Sequence, residues 1–261
     1  MIRCEHLTAG YGRKAIIKDI TWQTEPGKLT VIAGPNGSGK STLLKSVMGQ
    51  TRILEGRIFL DGVQASSWNA RERARRVAYV PQSRSDSSLT VARMVLHGRF
   101  PHIACPRHYT KEDEDRVEQI LDRVGILNLK NRLIPELSGG EKQKVYLSMA
   151  LVQDAPLLLL DEPASFLDIS WQLELMDLLK ELTGEGRTIA AVLHDLNHSL
   201  MYADRLVIMD RGTVAASGTP DEILNLGILE QVFRLNIFSA AEADGKKHYW
   251  FRRQNPLYQS P

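Results

Sequence analysis

The spacing of apolar and polar positions changes period many times along this chain. Leu29-Thr30-Val31-Ile32-Ala33, Val77-Ala78-Tyr79-Val80, Leu157-Leu158-Leu159-Leu160 and Thr188-Ile189-Ala190-Ala191-Val192-Leu193 are short, near-continuous apolar runs. Such runs, bounded by turn residues, predict strands buried on both faces of a parallel sheet. Between them the spacing becomes helical. Helices are predicted over Thr42 to Met48, Ala70 to Arg76, Val91 to Gly98, Lys111 to Val124, Glu141 to Val152 and Trp171 to Leu182. In the last of these, Leu175, Leu178, Leu179 and Leu182 share one face.

The two ends read differently. Ile2 to Leu7, Ala15 to Ile17 and Ile20 to Trp22 predict short strands, with turns at Tyr11-Gly12-Arg13 and Pro26-Gly27. Gly56 to Gly62 predicts a strand closing on an Asp-Gly turn. Leu206 to Met209 and Thr213 to Ala215 flank Asp210-Arg211-Gly212, a hairpin signal, and Pro220 to Leu224 starts a helix. Ile237 to Ala241 and His248 to Phe251 flank Asp244-Gly245 and predict a second hairpin over residues 237–253. The implied class is α/β, with N-terminal β structure and a helical subdomain over about residues 83–155 inserted in the core.

Length and composition fit that architecture. A chain of 261 residues, 43% hydrophobic, can build one large α/β domain with a subdomain. A net charge of +2 implies no bulk attraction to nucleic acid. Arg71, Arg73, Arg75 and Arg76 are therefore expected to form a solvated helix face. Lys246, Lys247, Arg252 and Arg253, with Tyr249 and Trp250, are expected on a hairpin packed against the domain rather than on RNA. Cys4 and Cys105 lack metal-ligand spacing and point to a reducing, cytosolic setting. No apolar run approaches the roughly 20 residues of a membrane span, and Met1 to His6 does not read as a signal peptide.

The chemistry concentrates at four strand ends. Gly34-Pro35-Asn36-Gly37-Ser38-Gly39-Lys40-Ser41-Thr42 fits the phosphate-binding pattern G-x-x-x-x-G-K-[ST] and lies between a predicted strand and a predicted helix. Its glycines let backbone N–H groups approach phosphates, and the helix start adds positive dipole. Lys40 is placed for the β- and γ-phosphates and Ser41 for Mg²⁺. Asp161 and Glu162 end the leucine run, one suited to Mg²⁺ and the other to polarising water. Gln82 and His194 end two further strands. Each is weak evidence alone, but ligands of open parallel sheets bind beyond the carboxyl ends of the strands. One nucleotide there can meet all four.

A second anion site is encoded elsewhere. Ser138 and Glu141 form a capping box around Gly139 and Gly140. Two glycines in a first helical turn cost about 1 kcal/mol each relative to alanine. They make sense where something must approach the backbone closely.

Taken together, these residues resemble an ATP-binding cassette ATPase over nearly the whole chain. In that resemblance Gly34 to Thr42 is Walker A, Gln82 the Q-loop residue, and Leu137 to Glu141 the signature. Leu157 to Asp161 is Walker B, followed by Glu162; Ser165 to Asp168 is the D-loop, and His194 is the switch histidine. Glu141 stands where many members carry glutamine, and either residue completes the capping box. The resemblance implies a P-loop NTPase core, with an N-terminal antiparallel β subdomain and an inserted α-helical subdomain. It implies ATP stacked on Tyr11, whose alternative is local packing, and Mg²⁺ held by Ser41, Gln82 and Asp161. Glu162, His194 and Gln82 would be catalytic. Ser138, Gly139, Gly140 and Glu141 would act on nucleotide held by a second copy, in a head-to-tail homodimer, and Asp168 would be the D-loop aspartate.

A finer resemblance is to importer ATPases for iron–siderophore, haem and cobalamin. It rests on Gly98 to His102, Ser165 to Ile169 and Val192 to Asn197. It implies transmembrane permease subunits as partners, a substrate-binding protein indirectly, and a peripheral position on the cytoplasmic face of the inner membrane. Gly98 to His102 would be an exposed loop that docks on the permease. The other readings are a manganese or zinc importer or an exporter, and a soluble relative in DNA repair or translation.

Overall fold

A computed structural model describes residues 1–82, 87–103, 108–165, 167–241 and 247–254. Cys105, Phe166, the polar stretch at 83–86 and the Asp244-Gly245 turn lie outside the described residues.

Strands β1 (Ile2–Tyr11) and β2 (Lys14–Gln23) pair antiparallel around Gly12-Arg13. One continuous β2 replaces the two short strands predicted there, because a register shift between the Leu7–Ile20 and Ala9–Ile17 pairs absorbs Lys18 and Asp19. Next come β3 (Leu29–Ala33), α1 (Lys40–Val47), β4 (Arg52–Leu60) and β5 (Val63–Gln64). β4 begins before Gly56, where its strand was predicted to start. Gly56 sits at a bulge with φ 78°, and a Cβ there would lie 2.2 Å from the His6 carbonyl oxygen. The first sheet has the order β2-β1-β4-β5.

The chain continues through α2 (Ala70–Arg76), β6 (Val77–Val80), α3 (Val91–Leu96), α4 (Lys111–Arg123) and α5 (Gly139–Val152). It then alternates β7 (Leu157–Asp161), α6 (Ile169–Gly184), β8 (Thr188–Val192), α7 (Leu196–Tyr202) and β9 (Arg205–Asp210). β10 (Thr213–Gly218), α8 (Pro220–Asn225), α9 (Ile228–Phe233), β11 (Leu235–Ala241) and β12 (Lys247–Arg253) complete it. The central sheet runs β10-β9-β3-β8-β7-β6 and is parallel except for the β10 edge.

The leucine run shows why these strands read as unbroken apolar stretches. Leu157 and Leu159 join the core shared with the first sheet and α1, while Leu158 and Leu160 join the core on the other face, with residues of α3 to α6. Successive side chains point to opposite faces, so a strand covered on both sides is apolar at every position.

Two local expectations need correction. The arginines of α2 do not simply face solvent. Arg71 and Arg75 donate to the Pro101 carbonyl at 3.0 and 2.8 Å, and Arg71 also donates to that of Ile103. Arg73 donates to the Ala65 carbonyl, and Arg76 pairs with Asp61. The Gly98 to His102 stretch is part of a 3₁₀ helix (His97–His102) rather than a loop. Arg99 is mostly buried against Asp113, and of this stretch only Phe100 is exposed, at 50%. Among the described residues no helix is long and apolar enough to cross a membrane.

Candidate functional site

β3 delivers the chain to Gly34, and α1 opens at Lys40, two residues before its predicted start. The intervening loop can be closed only by glycine at two points. A Cβ on Gly34 would lie 2.2 Å from the Met209 carbonyl oxygen, and one on Gly39 would lie 2.6 Å from the Ile17 side chain. Gly39, the residue before the helix, also has φ 102°. Lys40 folds back over the loop, its Nζ donating to the carbonyls of Gly34 at 2.8 Å and Pro35 at 3.0 Å. Burial holds the Lys40 ammonium below its usual pKa, opposed by Glu162 and Asp161.

Ser41 and Asp161 form the next layer. The Ser41 hydroxyl donates to Asp161 Oδ1 at 2.8 Å, and the Tyr79 hydroxyl donates to Oδ2 at 3.3 Å. Asp161 is fully buried. That burial pushes its carboxyl above the usual range despite both donors. Burial and the Asp161 charge together push the Tyr79 phenol up.

Glu162 lies beside this pair with φ 55°. Gln82 Nε2 donates to its Oε2 at 2.6 Å, and His194 Nε2 lies 2.6 Å from its Oε1. The four strand ends therefore converge as the sequence suggests. An open cleft of about 440 Å³ lies above them, lined by Asn36, Gly37, Gly39 to Thr42, Ile16, Gln82, Glu162 and His194. It presents a lysine, backbone donors and a helix start on one wall and a bracketed carboxylate on the other. That arrangement can bind a phosphate chain and hold a water beside it.

Residues 17–165, more than half of the chain, match the family model described as ABC transporter. The chain belongs to the ABC transporter family. It is 38% identical over 236 residues to the ferric enterobactin transport ATP-binding protein FepC of Escherichia coli (strain K12), covering 90% of this chain and 87% of the relative. It is 39% identical over 234 residues to the iron(3+)-hydroxamate import ATP-binding protein FhuC of Bacillus subtilis (strain 168), covering 89% and 87%. A bacterial ABC transporter cassette solved as a dimer superposes with a TM-score of 0.77 at 25% identity, covering 84% of this chain and 99% of that one.

As an ABC ATPase, the chain has its remaining sequence-predicted residues outside the cleft. The capping box at the start of α5 is present: the Ser138 hydroxyl accepts from the Glu141 N–H at 3.2 Å, and Glu141 Oε2 accepts from the Ser138 N–H at 2.8 Å. The bond from the Ser138 backbone holds the Glu141 carboxyl below its usual pKa. Ser138 and Gly139 are exposed, and none of Ser138, Gly139, Gly140 and Glu141 lines the cleft. Asp168 caps α6, accepting from the Trp171 N–H at 2.8 Å. Tyr11 is 48% exposed at the end of β1 and is not part of the cleft wall, where Ile16 of β2 stands. Gln82, expected at the metal, reaches Glu162 rather than the Ser41–Asp161 pair.

Sequence reasoning missed Ile16, Tyr79 and Gln143. Ile16 and Tyr79 read as ordinary strand residues, and only the sheet order brings Tyr79 beside Asp161 in the neighbouring strand. Gln143 lay inside a helix, and its burial had a signal: it repeats the helical spacing of Tyr146 and Ala150, both buried.

Proposed function

We propose that this ABC ATPase hydrolyses ATP to power import of a ferric chelate through a membrane permease, as one of two copies that share their nucleotides. The observation that supports hydrolysis most strongly is the bracketing of Glu162 by Gln82 and His194 next to the phosphate loop. A carboxylate fixed there suits the holding of an attacking water and acceptance of its proton. Lys40 and the N–H groups at the start of α1 would bind the β- and γ-phosphates. Phosphoryl transfer to water needs mainly such positioning and charge.

The metal donors fit their role. Ser41 Oγ and Asp161 Oδ1, 2.8 Å apart, are hard oxygen donors of the kind Mg²⁺ takes with substrate phosphates. When bound, Mg²⁺ neutralises charge on the β- and γ-phosphate oxygens. Tyr11, at the end of β1, would close over adenine from beside the cleft.

The exposed capping box of α5 supports the two-copy reading. It is an anion site that no residue of the cleft completes in the same chain, and the dimeric cassette offers the precedent. The ferric enterobactin and iron(3+)-hydroxamate relatives support an iron complex as cargo. The chain would then sit peripherally on the cytoplasmic face of the cell membrane, with Phe100 and its 3₁₀ helix against the permease and a substrate-binding protein delivering cargo from the far side.

Reconstitution with the permease in vesicles tests this. ATP-driven uptake of a ferric catecholate or hydroxamate is expected. Uptake of Mn²⁺ or Zn²⁺ with no ferric chelate carried would overturn the cargo.

A further inference from the structure

Gln143 is a side chain that hydrolysis, as described, does not use. It lies on α5, five residues past Ser138, and is 2% exposed. Its Nε2 donates to the carbonyl oxygen of Pro163, the residue after Glu162. A carbonyl only accepts, so the amide nitrogen must face Pro163. Its Oε1 has no partner among the described residues. Methionine would fill a similar volume without the unpaired oxygen, but it would leave the buried Pro163 carbonyl without this donor.

The segment it grips is a strained one. Glu162 is a non-glycine residue in the left-handed region, at φ 55°, and such a conformation persists only where its surroundings over-determine it. Strand pairing holds the near side, where the Glu162 N–H donates to the Val192 carbonyl at 3.2 Å. On the far side Pro163 has no N–H to offer, so its carbonyl is the available handle. Gln143 takes that handle from the helix whose first turn is the exposed anion site. The two points on α5 are separated by about 7.5 Å of helix rise, a length that moves as one rigid piece.

We infer that Gln143 is a positioning residue that ties the start of α5 to Glu162 of the same chain. The inference rests on the shared-nucleotide reading. In that reading Ser138 to Gly140 engage the nucleotide held by the partner, while Glu162 acts on the nucleotide of its own chain. Gln143 therefore couples the two: closing on one ATP sets the carboxylate that works on the other.

The test is Gln143→Met in the full chain, measured as hydrolysis rate against ATP concentration. The expected result is a fall in kcat of about tenfold or more with KM changed less than about twofold, and a Hill coefficient reduced towards one. Unchanged kcat and cooperativity would overturn the inference, as would kcat and KM changing in proportion. A second measurement does not depend on that variant folding. A mixed dimer of an isotope-labelled Ser138→Arg chain and an unsubstituted chain is followed by hydrogen exchange with a non-hydrolysable ATP analogue. Residues 162–165 should gain protection in the unsubstituted chain and stay unprotected in the Ser138→Arg chain. Equal protection in both, or the reverse pattern, would overturn the coupling while leaving the dimer intact. Absence of any ATP-dependent dimer would overturn the shared-nucleotide reading and the inference with it.

Discussion

His194 Nε2 stands 2.6 Å from Glu162 Oε1, and the two residues come from just beyond the ends of adjacent strands, where Asp161 of β7 pairs with Val192 of β8. Gln82 occupies the other carboxylate oxygen at the same distance of 2.6 Å. Both oxygens are therefore engaged by the protein, and since a carboxylate offers about four lone-pair sites it can still accept from a water. In the proposed mechanism the two brackets would also be the groups that sense a γ-phosphate.

Replacing that carboxylate separates binding from chemistry. Glu162→Gln keeps the size and one acceptor but cannot take a proton. Hydrolysis should fall by about 10²–10⁴-fold, the usual worth of a general base. ATP affinity, measured by equilibrium titration, should change little, and the ATP-bound dimer should accumulate on size exclusion. Turnover near that of the unsubstituted chain would remove Glu162 from its assigned role.

Asp161→Asn should move stability and activity in opposite directions. The amide oxygen can accept from one of Ser41 and Tyr79, the other hydroxyl can turn to accept from the amide N–H, and the substitution removes a fully buried charge. Thermal melting without nucleotide should therefore occur at the same temperature or higher. Mg²⁺-dependent hydrolysis should be lost by at least about a hundredfold, since a charged oxygen donor is gone. A lower melting temperature would show that the buried carboxylate contributes more to the fold than its surroundings indicate.

Arg71 and Arg75 act on the segment that carries Phe100. Both donate to the Pro101 carbonyl, so Arg71→Ala with Arg75→Ala should loosen the His97–His102 helix. About 1 kcal/mol is expected for each lost bond, and about 2–4 °C of melting temperature per kcal/mol for a domain of this size. ATP hydrolysis by the isolated chain should persist, while permease-coupled transport should fall. Equal losses in both assays would place these arginines in the nucleotide site instead.

Glu141 offers a pH-dependent test. Its carboxyl is held below the usual value of 4.5 by the bond from the Ser138 N–H. A depressed folded-state pKa stabilises the fold fully above the unfolded value, and that contribution is lost as pH falls through the folded one. Melting curves of the unsubstituted chain should therefore lose a little stability below pH 4.5 that Glu141→Gln does not lose. At neutral pH the two should be close, because glutamine also completes the box. Parallel pH curves would show that the box does not form in solution.

Much of this was legible in the residues. The strands β3, β6, β7 and β8 were visible as apolar runs because burial on both faces leaves no polar alternation to interpret. The convergence of Gly34, Gln82, Glu162 and His194 followed from one rule about parallel sheets. What stayed hidden depended on distant partners. Gly56 looked like a strand start because nothing nearby reveals the His6 carbonyl packed against it. The arginines of α2 looked solvated because the carbonyls they bind lie roughly 30 residues away, at Pro101 and Ile103. Gln143 lies inside the helix predicted over Glu141 to Val152, but its partner, Pro163, is 20 residues away and meets it only in the folded chain.

The central claim is that one chain carries half of each site, since the exposed Ser138 to Gly140 turn and the cleft under Gly34 to Thr42 do not meet within it. ATP hydrolysis by the purified chain, measured over a wide range of protein concentration, tests this most directly. The account predicts a specific activity that rises with concentration and then saturates, and that an excess of Ser138→Arg chains poisons. A specific activity constant at every dilution, and unaffected by that excess, would contradict it.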